Sequence, residues 1–212
     1  MIEFFLKLII AYILGSIPSS IIAGKLNGID IREHGSGNAG GTNTFRVLGW
    51  KAGLIVTLFD MFKGYFATVY VVSFSFGFSP LDLSAEVQQI CIGFASIIGH
   101  IWTVFARFRG GKGVATAAGM MIGLYPEAMG LGILVFALTL YITRYVSLSS
   151  MLSASSVPIF LYFSPSLFGK IPSELFLIFS MIIALLIIFT HRSNVLRLIN
   201  GTENRVGKKK GA

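Results

Sequence analysis

Three stretches of this sequence combine residue types that suit the handling of an anion. The first is Gly35-Ser36-Gly37-Asn38-Ala39-Gly40-Gly41-Thr42-Asn43, followed by Arg46. Glycines let several backbone N–H groups point at one anion, as in nests and at helix N-termini. Ser36, Asn38, Thr42, Asn43 and Arg46 add side-chain donors. A merely flexible loop is the competing account, and four glycines in seven residues with small polar residues between them weigh against it. The second stretch runs from Gly99-His100 through Phe105 and Phe108 to Arg109-Gly110-Gly111-Lys112-Gly113-Val114-Ala115-Thr116. A Walker A loop requires Ser or Thr after the lysine, and Gly113 stands there, so the P-loop assignment fails. What remains is Lys112 among the closely approaching N–H groups of Gly110, Gly111 and Gly113 at the start of a short helix, an arrangement that suits phosphate. A lysine that snorkels to a membrane interface is the alternative. The third stretch is His191-Arg192-Ser193-Asn194, then Arg197 and Gly201-Thr202-Glu203. His191 and Asn194 are three apart, so a continuing helix puts them on one face. Glu203 is the only acidic residue among the basic ones of this tail.

Smaller features sit between these. His100 lies at a span end, where a structural and a catalytic histidine are equally plausible. Asp60 and Lys63 are three apart inside an apolar span, either a functional pair or a structural ion pair facing neighbouring helices. Arg144-Tyr145-Val146-Ser147-Leu148-Ser149-Ser150 sets hydroxyls between two spans. Ser150 is placed to meet a substrate there, with helix packing through small residues as the alternative.

The elements that must carry these residues are apolar. Of 212 residues, 54% are hydrophobic and 12% charged, half the roughly 25% charge of a soluble domain. Mean hydropathy is +0.79. Seven apolar segments stand out, at about 4–24, 52–78, 85–106, 114–125, 127–143, 146–164 and 174–190. A crossing helix needs about 20 residues, so the composition excludes a soluble globule and predicts an all-α, polytopic transmembrane bundle of seven spans in a single domain over 1–212. The stretch from Lys7 to Ser20 has a signal-peptide look, but more spans follow and no clean A-x-A site appears, so it is read as a retained span. Ser79-Pro80-Leu81-Asp82 reads as a turn, Pro126 as a break, and 165–172 as a connector holding Lys170.

Net charge is +8, and its distribution orients the chain. With seven spans, 14 basic residues fall on one side and two, Lys7 and Lys170, on the other, with Lys63 inside a span. The positive-inside rule then puts the N-terminus outside, the C-terminus in the cytoplasm and all three polar stretches on the cytoplasmic side. That rule also accounts for Lys208, Lys209 and Lys210 without a ligand. The fourth segment is too short to cross, at about 18 Å against roughly 30 Å of hydrocarbon. The loop 107–113 before it must therefore enter the membrane profile, where irregular backbone needs protein or a water-filled cavity around it. Three scattered histidines and the single Cys91 offer no zinc spacing, and the dinucleotide and P-loop patterns fail. No metal and no organic cofactor is expected.

The three stretches, in this order, resemble those of the bacterial membrane glycerol-3-phosphate acyltransferases that use acyl-phosphate as donor. The resemblance runs from the first span to about Glu203 and extends to the Asp60–Gly64 and Arg144–Ser150 segments. It implies transfer of an acyl group from acyl-phosphate to the 1-hydroxyl of sn-glycerol 3-phosphate, giving lysophosphatidate and inorganic phosphate, without acyl-CoA or acyl carrier protein. It further implies a multi-pass protein of the bacterial cytoplasmic (inner) membrane with its active site facing the cytoplasm. The expected partners are the two substrates, membrane lipid and a functional link to an acyl-phosphate-producing enzyme, with no nucleic acid. Lys112, His191, Asn194 and Ser36 are the candidate catalytic residues. Arg46, Asn38, Thr42, Asn43, Gly110, Gly111, Gly113, Ser150 and Glu203 are the candidate substrate-binding residues. The His-x-x-x-x-Asp pair of the other acyltransferase class is absent, since Ala39, Phe105 and Leu196 follow five residues after His34, His100 and His191. The proton acceptor is then either His191 or a phosphate oxygen of the substrate. A transporter for a phosphorylated anion shares the basic loops but wants a second access route, and the outer loops are short and nearly uncharged. A purely structural membrane protein leaves the glycine-rich loops unexplained.

Overall fold

The computed structural model describes residues 1–78, 81–169 and 171–207. The Ser79-Pro80 part of the expected turn, Lys170 and the Lys208, Lys209 and Lys210 cluster lie outside the described residues. Among the described residues the chain is all-helical, and it divides into two compact units, 1–124 and 125–212.

The first unit holds α1 (Ile2–Ser16), α2 (Ser19–Leu26), α3 (Gly41–Leu48), α4 (Trp50–Val69), α5 (Ala85–Ile101) and α6 (Val114–Leu124). The first apolar segment is one span by length, Ile2–Leu26, but it breaks at Ile17-Pro18. The residue before a proline is pushed out of the helical region, and Ile17 has ψ 113, so its carbonyl leaves the helical ladder. Lys7 lies inside α1, paired with Glu3 at 2.9 Å, rather than on a solvated terminus. α1 packs on α5, and α4 packs on α6. The α4–α6 crossing is made by glycine: a Cβ on Gly64 would overlap the carbonyl of Thr116, and one on Gly119 the carbonyl of Met61. Lipid tails supply no hydrophobic drive between helices, so close backbone packing through small residues does the work of association. Ala11, Ala67, Val71 and Ile92 form a buried core, and Ile21, Ile31, Ala39 and Ala106 a second one under the glycine-rich loop 35–40.

The second unit holds α7 (Pro126–Thr143), α8 (Val146–Tyr162), α9 (Ser164–Phe168), α10 (Glu174–Thr190) and α11 (Arg192–Ile199). Pro126 takes the first turn of α7, where its missing N–H costs nothing. α8 packs between α7 and α10. α10 and α11 meet at His191 with a 59° bend, so the helix expected to continue through His191 breaks there.

Each of the seven apolar segments carries a helix. Among the described residues four are long and apolar enough to cross a membrane, namely Ile2–Leu26, Trp50–Ser73, Ala85–Ala106 and Pro126–Thr143, and the bent α10–α11 pair makes up to five. α6 and α8 are apolar but shorter, with 11 and 17 residues.

Candidate active site

In the first unit the two glycine-rich stretches meet. Loop 35–40 is clamped by one side chain. Asn43, 1% exposed at the start of α3, accepts from the Ser36 N–H (2.8 Å) and the Ser36 hydroxyl (3.1 Å) on its Oδ1. Its Nδ2 donates to the carbonyls of Ile31 (2.9 Å) and His34 (3.0 Å). Every hydrogen-bonding valence used here goes to the loop backbone or to Ser36, so Asn43 shapes the loop. Gly35 has φ +64, and a Cβ there would run into the Asn43 carboxamide. α3 begins after Gly40, with Thr42 in its first turn and Arg46 one turn on, both exposed on the same face. The N–H groups of Asn43 and Thr44 bond back to the Gly40 carbonyl (3.1 and 3.0 Å), and those of Gly41 and Thr42 open the helix beside the loop end. Asn38 is half-buried beside them.

The second loop leaves α5 through a 3₁₀ turn, Val104–Ala106, and two left-handed residues, Arg107 and Phe108. Its glycines then fold back on the end of α5. Gly110 N–H donates to the carbonyl of Ile101 (3.0 Å) and Gly111 N–H to that of His100 (3.1 Å). A Cβ on Gly111 would overlap Nε2 of His100 and lie 2.7 Å from the carbonyl oxygen of Ala39. Only glycine lets the two loops approach so closely. Lys112 follows half-buried, and Gly113 (φ +83) accepts the first α6 hydrogen bond from Ala117. Gly37, Ala39, Gly110, Arg32, Arg107 and Arg109 line an open cleft of about 800 Å³ beside the loop junction. Arg32 is neutralised by a bidentate contact to Asp30, whose carboxyl is held at about 2 by the Arg32 side chain and then by its N–H. Arg107 and Arg109 supply the remaining positive charge of a lining that also holds the Glu33 carboxylate.

Beneath the loops lies a buried ionic group. Asp60 Oδ1 accepts from Lys63 Nζ and from the Ser19 hydroxyl, both at 2.8 Å, and stands 3.5 Å from Nδ1 of His100. Lys63 also donates to the Ile17 carbonyl freed by the Pro18 break (3.1 Å). The Asp60–Lys63 pair anticipated from spacing is real, but Ser19, 41 residues away from Asp60, carried no sequence signal of its role.

In the second unit Glu203 is a hub. Its Oε1 accepts from Ser147 (2.8 Å) and Asn194 (2.7 Å), and its Oε2 from Arg197 Nε (2.7 Å). Burial pushes this carboxyl up, but the hydrogen bonds from Arg197, Asn194 and Ser147 together outweigh it and hold it below the usual range. Ser147 belongs to the 144–150 hydroxyl stretch, but nothing in the sequence pairs it with Glu203. His191 caps the α10–α11 bend, with Nδ1 2.8 Å from the Ile187 carbonyl. That contact suits an Nδ1–H tautomer and leaves Nε2 as an acceptor. Asn194 lies one turn on, its N–H bonded to the His191 carbonyl (2.7 Å), and both side chains are buried despite the bend. Ser150 is buried on α8 and donates to the Val146 carbonyl (2.9 Å), which leaves its oxygen able to accept. Among the described residues no group of three or more His, Cys, Asp and Glu gathers as a metal site.

The sequence model of the glycerol-3-phosphate acyltransferase family matches residues 5–201. A glycerol-3-phosphate acyltransferase of Chlorobium chlorochromatii (strain CaD3) is 48% identical over 223 residues, covering 94% of this chain and 95% of its own. One of Chlorobaculum tepidum is 49% identical over 227 residues, covering 97% of each. Among solved structures, the integral membrane glycerol 3-phosphate acyltransferase PlsY (YgiH) in its glycerol 3-phosphate form superposes with a TM-score of 0.83 at 37% identity, over 96% of both chains. Its lysophosphatidic acid form gives 0.81, over 96% of this chain and 95% of that one. The matched region takes in both glycine-rich loops, the buried ionic group, His191 and Asn194, and on this ground the chain belongs to the glycerol-3-phosphate acyltransferase family, as an integral membrane acyltransferase of phospholipid biosynthesis.

Proposed function

We propose that the chain transfers an acyl group from an acyl-phosphate to the 1-hydroxyl of sn-glycerol 3-phosphate, giving lysophosphatidate and inorganic phosphate, the first acylation step of phospholipid biosynthesis. The observation that carries this reading is the junction of the two glycine-rich loops at Gly111 and Ala39, directly before Lys112. Two backbone loops brought together beside a lysine at a helix start suit a phosphate. The glycerol 3-phosphate and lysophosphatidic acid forms of PlsY support the acceptor and the product. The missing His-x-x-x-x-Asp pair supports a donor that is already activated.

The reaction asks for positioning more than for a strong base. The acceptor hydroxyl oxygen bonds to the acyl carbon, the acyl–phosphate C–O bond breaks, and phosphate leaves with the bonding pair. The hydroxyl proton passes to Nε2 of His191 or to a phosphate oxygen of the substrate. Lys112 and Arg46, with the N–H of Gly113, hold phosphate and the developing oxyanion, while Gly110, Gly111 and Ser36, whose N–H groups and hydroxyl donate to Ile101, His100 and Asn43, serve by shaping the loops. Asn38, Thr42 and Ser150 complete the polar contacts. Asn194 orients the acceptor, and Asn43 and Glu203 serve by shaping the loop and by holding Asn194. The apolar helices hold the acyl chain. No metal or organic cofactor enters this scheme.

The chain acts as one catalytic domain, and the family match from residue 5 to 201 across both units supports this. It crosses the bacterial cytoplasmic membrane seven times with the N-terminus outside, as the 14-to-2 basic asymmetry argues, and its active site faces the cytoplasm. An acyl-phosphate-producing enzyme is its functional neighbour. Purified protein with acyl-phosphate and glycerol 3-phosphate should release phosphate stoichiometrically with lysophosphatidate, while acyl-CoA should not substitute. Transfer from acyl-CoA at comparable kcat/KM would overturn the donor assignment. Cysteine labelling from each side tests the topology, and an outward-facing 35–46 loop would overturn it.

A further inference from the structure

The buried ionic group has no substrate-facing role in that scheme, yet it is costly. Asp60 and Lys63 are each 1% exposed and His100 is 7% exposed. Replacing a buried ion pair by packed apolar residues is often neutral or stabilising, so stability alone is a weak account of it. Its placement points elsewhere. Asp60 gathers Ser19 from the start of α2, Lys63 from the next turn of α4 and His100 from the end of α5 around a single oxygen. Lys63 ties the same cluster to the α1–α2 break through Ile17. The far edge of the His100 ring then lies under Gly111, and the His100 carbonyl accepts the Gly111 N–H. The imidazole is thus the floor on which the loop carrying Lys112 rests, and the Ala39 carbonyl of the first loop closes over the same glycine.

We propose that Asp60, Lys63 and His100 form a positioning network that sets the Gly110–Gly111 backbone against Ala39 and thereby places Lys112 on the substrate phosphate. This rests on the phosphate-binding assignment of the two loops. The network acts through another residue and touches no substrate. It predicts energetic coupling between a buried histidine and a loop lysine, which a merely structural histidine would not show.

The test is a double-mutant cycle on the purified full-length protein, with phosphate release from acyl-phosphate and glycerol 3-phosphate as the readout. His100→Gln should lower kcat by about 100-fold, the order of loss seen when a reacting group is misplaced by about 1 Å. Lys112→Ala should lose at least as much. The double variant should lose no more than about threefold beyond Lys112→Ala alone, because a residue acting through Lys112 has nothing left to position. Ser19→Ala removes one hydrogen bond to Asp60 at a half-buried site and disturbs folding less. It should cost about three- to tenfold, and it too should lose its effect in the Lys112→Ala background. Losses that multiply in both cycles would overturn the positioning role while leaving the acyltransferase reading intact. Wild-type protein inactive with these substrates would overturn both. If His100→Gln does not fold, the Ser19→Ala cycle decides the matter by the same criterion.

Discussion

Replacing Asn43 by alanine removes a side chain that makes four hydrogen bonds and is almost wholly buried. The Ser36 N–H, the Ser36 hydroxyl and the His34 carbonyl lie on an accessible loop and can turn to water. The Ile31 carbonyl is buried and keeps only the longer bond from the His34 N–H, at 3.4 Å. Losing its shorter bond costs about 1 kcal/mol, and the net loss of the other bonds adds about 1 kcal/mol. The loop should therefore be destabilised by about 2 kcal/mol, or roughly 30-fold in its opening equilibrium. Amide hydrogen exchange over 31–43 should accelerate by that factor, while exchange in α7 and α8 stays unchanged. Because this loop shapes the phosphate site in the proposed reaction, kcat/KM for glycerol 3-phosphate should fall by about 100-fold. Asn43→Asp is the sharper variant. It keeps the acceptor for Ser36 but replaces the Nδ2 group, which donates twice, by one carboxylate oxygen facing two carbonyls, so it should be at least as damaging as alanine. Asn43→Ala with exchange and kcat/KM both within about twofold of wild type would refute the clamp.

Lys112→Ala should cost about 2–4 kcal/mol of transition-state stabilisation, roughly 30- to 1000-fold in kcat/KM, with arginine at 112 restoring only part because it is planar and bulkier. Lys51→Ala, exposed over the Trp50 ring, is the control and should change little; more than half of wild-type activity in Lys112→Ala would make the lysine an interface residue. Glu203 has a folded pKa below its ordinary value, so its share of stability is fully present above about pH 4.5 and is lost as pH falls from there through the folded pKa. Glu203→Gln should melt lower at pH 7 and lose part of the acid sensitivity below pH 4.5; identical melting profiles across that range would remove Glu203 as a hub. Turnover should persist in EDTA, and loss of activity restored by one specific divalent ion would refute a metal-free mechanism.

Local signals made much of this protein legible from its sequence. Every segment that hydropathy marked carries a helix, since a chain dissolved in lipid must both hide its backbone groups and present apolar side chains; the short polar helices α3 and α11 it did not mark. The anion-binding loops were legible because clustered glycine and small polar residues are a short-range property. The Asp60–Lys63 pair was legible because three residues of helix bring two side chains together. Tertiary structure decided which polar residues face a ligand and which hold others in place. Asn43 looks like a donor for substrate, but its carboxamide is taken by Ser36, Ile31 and His34. Glu203 looks like the odd acid in a basic tail, but its partners include Ser147, 56 residues earlier. Ser19 and the Ile17 carbonyl become ligands of a buried charge pair only because Pro18 breaks the first span and α4 packs beside the break. A buried polar group must find partners wherever the fold brings them, and those partners sit at sequence distances that no local pattern encodes.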